Sequence, residues 1–329
     1  MKEIKLGTIG SGVIVESVLA QVARVPGIRL TAVCSRSREK GTKLAETFGA
    51  GAVYTDWDAL LDDPNVNCVY IASPNSLHYP QTRQALLAGK HVWCEKPFCT
   101  ASAQARDLAS LARQKNLLLA EAVPTAFLPN LEIIKQQLPR IGRLRLVQGN
   151  YSQYSSRYDQ LLQGQMPNVF NPAFGGGCLM DINYYNVYLN VALFGKPRSV
   201  HYFPNLHSGG ADTSGILVLC YPDFVSQASG AKDTWYDNAF SIQGEKGFLE
   251  IPGGSNGLRQ VRVVTRTTDE CLSDQSDPER LFYEVQTLTG LFLREDRETL
   301  DRMMETTIAV MEVLEEGRKS AAIRFLGET

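Results

Sequence analysis

With 329 residues, 44% of them hydrophobic, the chain is long enough to fill two cores. A formal net charge of -2 and the lack of a concentrated basic run exclude the surface that nucleic acid or an anionic membrane requires. No apolar stretch reaches the roughly 18 residues of a spanning helix, and the start of the chain lacks a signal-peptide pattern, so a cytoplasmic protein is expected. Seven cysteines without a Cys-x-x-Cys pair or a histidine at ligand spacing predict buried reduced thiols, with no metal centre or disulfide framework. In chain order, short apolar runs at Ile4 to Ile9, Leu30 to Cys34, Val69 to Ala72, His91 to Cys94 and Leu117 to Ala120 read as buried strands. Helical spacing separates them: Val18, Val22 and Val25 share a face, as do Leu44, Ala45 and Phe48. Leu77, Ala85 and Leu86 follow a cap at Asn75-Ser76. Such alternation implies a parallel sheet with right-handed crossovers.

After Ala120 the period changes. Leu128 to Leu138 reads as a helix, followed by alternating segments at Leu144 to Tyr154, Ile216 to Ala228, Ala239 to Ile251 and Val261 to Thr267. Turns fall at Tyr221-Pro222-Asp223 and Gly244-Glu245-Lys246-Gly247, and a helix is expected from Arg297 to Glu315. The pattern predicts a largely antiparallel open sheet covered by helices on one face.

The first strand runs into Gly10-Ser11-Gly12 and then a helix opening with Val13-Ile14. Glycines there let the backbone turn tightly and approach a diphosphate, while the helix points unpaired N–H groups at it. The third fingerprint position, where glycine or alanine allows close helix packing, holds Val15, and an ordinary strand-to-helix turn is the bland alternative. At the end of the second strand, where a carboxylate would bind the ribose 2′-hydroxyl of NAD, the chain has Ser35-Arg36-Ser37-Arg38. A hydroxyl and a guanidinium at that place favour a 2′-phosphate, so NADP is expected over NAD, with Ser35 and Arg36 as readers and Arg38 as helper.

Two later stretches end consecutive strands: IASPNSLHYPQT (Ile71 to Thr82) and GKHVWCEKPFCT (Gly89 to Thr100). A lysine just past an apolar run, fixed by a proline and beside a carboxylate, sits at the sheet edge where a nicotinamide would lie. With the glycine turn, these stretches resemble the glucose-fructose oxidoreductase, inositol dehydrogenase and MocA family of pyridine-nucleotide oxidoreductases. The hallmark of that family stands here as Glu95-Lys96-Pro97. The resemblance implies that Ala72, Ser73, Pro74, Asn75 and His78 lie along the nicotinamide ribose, with Glu95, Lys96 and Pro97 beside the cofactor. It also points to Phe174 to Pro197, where a triple glycine leads into a helix that places Asp181 and Tyr185 one turn apart. Most of the family has histidine at the second of these positions. The tyrosine is similar to the variant in glucose-fructose oxidoreductase and dimeric dihydrodiol dehydrogenase. A phenol donates a proton to a developing alkoxide when an ammonium stands nearby, and Lys96 would supply that charge. The bland alternative makes Tyr184, Tyr185 and Tyr188 an aromatic stripe in the core.

These readings predict an α/β N-terminal Rossmann domain with a parallel sheet over residues 1–122. An α+β domain over residues 123–329 would bind substrate and form oligomers. By resemblance the protein interconverts a secondary alcohol and a carbonyl on a sugar, polyol or cyclic diol by hydride transfer. Lys96, Tyr185 and Asp181 are the expected catalytic residues, NADP (or NAD) the cofactor, and a homodimer or homotetramer through the C-terminal sheet the expected assembly. A non-catalytic nucleotide sensor of the same fold is the alternative function, and a scaffold that merely oligomerises is a third.

Overall fold

The computed structural model describes residues 1–325, so the last four residues of the 123–329 span drawn above lie outside the described residues. Two compact units emerge. The first comprises Met1–Cys99, Ala103–Val123 and Glu279–Thr307; the second comprises Thr100–Ser102, Pro124–Pro278 and the chain from Ile308 onward. The chain therefore returns to the first unit, whereas the sequence reading drew a single change at residue 122.

The first unit holds β1 (Ile4–Ile9), α1 (Val13–Val22), β2 (Ile28–Cys34), α2 (Arg38–Phe48), β3 (Ala52–Tyr54), α3 (Trp57–Leu61) and β4 (Cys68–Ile71). It continues with α4 (Asn75–Leu87), β5 (His91–Glu95), α5 (Ser102–Gln114) and β6 (Leu119–Ala122). Its six strands lie in the order β3-β2-β1-β4-β5-β6, all parallel. That is the doubly wound topology the strand-helix alternation predicts. β3 escaped the sequence reading because it is only three half-buried residues long. α1 turns Val15, Val18, Leu19 and Val22 to the interior, the spacing of a helix with one covered face.

The second unit holds α6 (Asn130–Gln137), β7 (Leu144–Ser152), α7 (Tyr158–Leu162), α8 (Cys178–Asp181), α9 (Asn183–Phe194), β8 (Ser199–Leu206), β9 (Asp212–Cys220) and β10 (Val225–Ala231). Then come β11 (Ala239–Gly244), β12 (Gly247–Pro252), β13 (Val261–Thr265) and β14 (Asp269–Leu272). The strand order is β14-β13-β12-β11-β7-β10-β9-β8, and only the β7–β10 pair is parallel. α9 covers one face against β7 and β10. Phe203, Ile216 and Val225 stand exposed on this sheet.

The final helices are α10 (Arg280–Arg294) and α11 (Arg297–Ser320). α10 explains the return: its apolar side packs on α1, and Phe292 meets Trp93 of β5 edge-on with ring centroids 5.6 Å apart. The Ala322 to Phe325 run is a turn and coil, and α11 extends past the expected Glu315 to Ser320. Five cysteines are buried as expected; Cys220, the last residue of β9, is half-buried, and Cys271 is exposed because β14 presents alternate residues to solvent at the sheet edge. Among the described residues no helix is long and apolar enough to cross a membrane.

Candidate active site

In the first unit the turn after β1 is held on both sides by the sheet. Gly10 N–H donates to the Cys34 carbonyl of β2 at 3.0 Å, and Ala72 N–H, just past β4, donates to the Ile9 carbonyl at 3.0 Å. Gly10 has φ +112°, and a Cβ there would lie 2.6 Å from the Ala72 carbonyl oxygen, so only glycine fits. Gly12 is the N-cap of α1 and no side chain caps the helix. A Cβ at Gly12 would meet nothing within 4 Å, and the neighbouring Val13 is 81% exposed while Ile14 is half-buried. An open, uncapped N-terminus of a ten-residue helix at the carboxyl edge of a parallel sheet fits a dinucleotide diphosphate. Val15, at the departing fingerprint position, points inward, with Cγ2 3.4 Å from where a Gly10 Cβ would sit.

Ser35 is buried, and its hydroxyl donates to Ser11 Oγ at 3.0 Å while accepting from Ser37 N–H at 3.3 Å. It ties the turn after β2 to the glycine turn. Arg36 and Arg38 are exposed and make no ion pair among the described residues. The Cys34 thiol beside them is pushed up to about 11, first by burial and then by Asp56, which leaves it unreactive as a nucleophile.

Pro74 precedes α4, and Asn75 opens it. Ser73 Oγ donates to Gln81 Oε1 at 2.6 Å. His78 is fully buried, with the Pro97 carbonyl 2.8 Å from Nδ1 and the Ser73 carbonyl 2.8 Å from Nε2. Burial lowers its proton affinity and the Lys96 ammonium lowers it further, against the pull of the two carbonyls. A neutral imidazole carries one N–H and so donates to only one of these carbonyls; the ring is packed between the Ala72-to-Asn75 loop and the Glu95-Lys96-Pro97 turn, whose Lys96–Pro97 bond is cis.

Lys96 is half-buried and directly follows the buried Glu95. Tyr70 donates its phenolic proton to Glu95 Oε1 at 2.5 Å. Burial raises the Glu95 carboxyl, opposed by the Tyr70 hydrogen bond and the Lys96 and Arg280 charges. Glu284 of α10 is buried nearby and pushed well above the usual carboxylate range, first by burial and then by the Glu95 charge. Glu121 accepts from Phe98 N–H at 2.9 Å and from Thr307 Oγ1 at 2.8 Å, fixing the chain just beyond Pro97. Tyr70, Glu121 and Glu284 were not picked out by sequence; each sits in an apolar or helical run with no local mark.

In the second unit the helix expected to carry Asp181 and Tyr185 is broken. Asp181 is the last residue of α8 and Tyr185 lies in the first turn of α9, with Ile182 between the two helices. Ile182 itself keeps right-handed helical angles, φ -97° and ψ -36°. At the start of α8, Gly177 with φ +136° brings the backbone against Asp212, whose Oδ2 accepts from Leu179 N–H at 2.7 Å and so caps the first turn. α9 is anchored by asparagines instead: Asn183 and Asn186 donate to the Ala228 and Ser229 carbonyls of β10 at 3.0 and 2.9 Å.

Asp181 pairs with Lys232, Nζ to Oδ2 2.5 Å. Tyr185 is 6% exposed and meets Tyr151 edge-on at 5.7 Å, in a cluster with Cys178 and Ile182. Tyr184 and Tyr188 stack on each other and are buried, so for them the core reading is right. Lys232 was missed by sequence, since a single lysine after a small-residue strand carries no signal.

Residues 4–122 match the model of an oxidoreductase family with an NAD-binding Rossmann fold, and residues 136–250 match the GFO/IDH/MocA C-terminal domain. An uncharacterized oxidoreductase of Escherichia coli, YgjR, is 40% identical over 88% of either chain. This chain belongs to the Gfo/Idh/MocA family. It is also 33% identical, over 98% of each chain, to the scyllo-inositol 2-dehydrogenase (NADP(+)) IolU of Bacillus subtilis. KijD10, a 3-ketoreductase from Actinomadura kijaniata solved with NADP and TDP-benzene, shares the fold with a TM-score of 0.85 at 22% identity, covering 97% of this chain and 98% of that one. The protein is an NAD(P)-dependent oxidoreductase, with a parallel Rossmann sheet in one unit and a mostly antiparallel sheet in the other.

Proposed function

We propose that the protein is an NADP-preferring oxidoreductase that interconverts a secondary alcohol and a carbonyl on a sugar, polyol or cyclic diol. The observation that carries the cofactor preference is the pair of exposed guanidiniums, Arg36 and Arg38, at the end of β2 where an NAD site would carry a carboxylate. The similarity to an NADP-dependent inositol dehydrogenase supports the same preference and the polyol class. In this reading residues 1–122 form the dinucleotide-binding part and residues after 123 the substrate-binding part, with the α10 segment returning to support the first.

Gly10, Ser11, Gly12 and the first turn of α1 at Val13 and Ile14 hold the diphosphate through backbone N–H groups. Arg36, from the turn that Ser35 ties to Ser11, and Arg38, the first residue of α2, hold the 2′-phosphate. Ala72, Ser73, Pro74 and Asn75 lie along the nicotinamide ribose, with His78 as a support that keeps this loop and the Pro97 turn together. Bound NADP supplies the hydride acceptor, and NADPH the donor. Tyr185 exchanges the substrate hydroxyl proton at its Oη, Lys96 stabilises the developing oxyanion, and Asp181 accepts a hydrogen bond that orients the substrate hydroxyl. Glu95 and Pro97 fix the backbone from which Lys96 projects.

The exposed Phe203, Ile216 and Val225 support a homodimer or homotetramer through the second sheet, and a cytoplasmic location belongs to the same proposal. A monomer in light scattering would contradict that assembly. The functional reading is tested by nicotinamide absorbance over time with NADP or NADPH against aldoses, polyols, inositols, diols and dicarbonyls, beside Lys96→Met. Turnover that vanishes in the variant is the expected result; tight NADPH binding without turnover on any compound would favour a nucleotide sensor.

A further inference from the structure

Lys232 directly follows β10 and is 2% exposed, although a lone ammonium in such a place is strongly disfavoured. Its two hydrogen-bond partners and its ring contact all lie inside the second unit. They are Asp181 Oδ2 at 2.5 Å, the Val169 carbonyl at 3.4 Å and the face of the Phe170 ring, whose centroid is 4.6 Å from Nζ. The adjacent Asp233 is not the partner, because it accepts from the hydroxyls of Thr213 and Ser214 at 2.7 and 2.8 Å. Asp212 is likewise held, by Leu179 N–H and by the Tyr202 hydroxyl at 2.6 Å. Of three neighbouring aspartates, the ammonium reaches the one 51 residues away in sequence, whose side chain keeps 31% exposure.

We propose that Lys232 is a positioning residue that holds Asp181 as an ionised acceptor in a single orientation for a substrate hydroxyl. This inference rests on the polyol oxidoreductase reading. Because Lys232 is 2% exposed while Asp181 keeps 31%, the lysine makes no bond to the substrate and acts only through Asp181. α8 is a four-residue helix, too short to fix its last side chain by itself, and the buried cation supplies the missing restraint.

A double-mutant cycle on the full-length protein loaded with NADP tests this, with scyllo-inositol, myo-inositol and glucose as probes and their Kd measured by calorimetry. Lys232→Met is expected to weaken polyol binding at least tenfold while the Kd for NADP stays within twofold of wild type. Added to Asp181→Asn, it is expected to change polyol Kd less than twofold. Additive losses would overturn the assignment, as would a wild-type polyol Kd in Lys232→Met. Should Lys232→Met fail to fold, the double variant, with both charges removed, is compared with Asp181→Asn: equal Kd values support the assignment and a further tenfold loss refutes it. A wild type that neither binds nor turns over any of the probes overturns the functional reading together with this one, whereas polyol binding with additive losses overturns this one alone.

Discussion

At the carboxyl edge of the first sheet the surface is shaped by backbone. Gly10 at φ +112° lies under the Ala72 carbonyl, Gly12 leaves the end of α1 open, and side chains such as Ser35 and His78 only tie one loop to the next. In the second unit the polar contacts are largely buried and made by side chains from distant segments: Asp181 against Lys232, and Asp212 against Tyr202 and Leu179. The first arrangement needs particular residues at fixed local offsets, since a turn is a property of consecutive φ/ψ angles. The second needs complementary charges that the fold happens to bring together, at no fixed offset. A turn defined by its backbone angles tolerates little sequence change, whereas buried paired side chains can be replaced by other complementary partners.

The largest expected effect sets the two units side by side. Lys96→Met is expected to lower kcat by about 10²- to 10⁴-fold with NADPH affinity nearly unchanged, as steady-state kinetics and fluorescence titration would show. Tyr185→Phe, which keeps the edge-on ring contact with Tyr151, should cost about 10²- to 10³-fold in kcat without loss of Tm. If only one of the two variants is impaired, the chemistry belongs to one unit.

Two smaller effects probe the backbone-built edge. Arg36→Ala should weaken NADPH about tenfold or more and leave NADH unchanged, the loss of a charge-assisted hydrogen bond; equal losses for both cofactors would sink the 2′-phosphate assignment. Gly10→Ala should destabilise by about 1–3 kcal/mol in chemical denaturation and abolish tight NADPH binding. An unstrained, cofactor-binding Gly10→Ala protein would break the comparison, since the edge would then not depend on that backbone angle.

The smallest effect concerns the His78 staple. Its imidazole is held neutral when folded, by burial and by the Lys96 charge, while the unfolded chain takes up a proton near the ordinary value of 6.5. Below that value the unfolded state binds more protons, so the contribution of His78 to stability is full above about pH 6.5 and is lost as pH falls through the lowered folded value. Wild-type Tm should drop more steeply between pH 7.5 and 5 than that of His78→Gln. Parallel slopes would mean the ring is not held neutral.

Reading by sequence worked where structure follows from neighbours along the chain. β1 was found residue for residue, the parallel and antiparallel halves separated by their hydrophobic periods, and the glycine turn and the Glu95-Lys96-Pro97 turn fell at strand ends. It failed where the deciding term is a contact across the fold. The three-residue β3 is a strand only because β2 lies beside it. The anchoring of the first turn of α8 follows from Asp212 reaching Leu179. The place of α10 in the first unit follows from its packing on α1 and Trp93. What the sequence by itself determined was the order of elements and the backbone-shaped edge, because periodicity and turn chemistry are local. Only the tertiary structure decided that Lys232 meets Asp181, that Ser35 meets Ser11, and that Tyr70 and Glu284 surround Glu95. A buried charge or hydroxyl is satisfied by whichever partner the fold delivers, and no local pattern records which one that is.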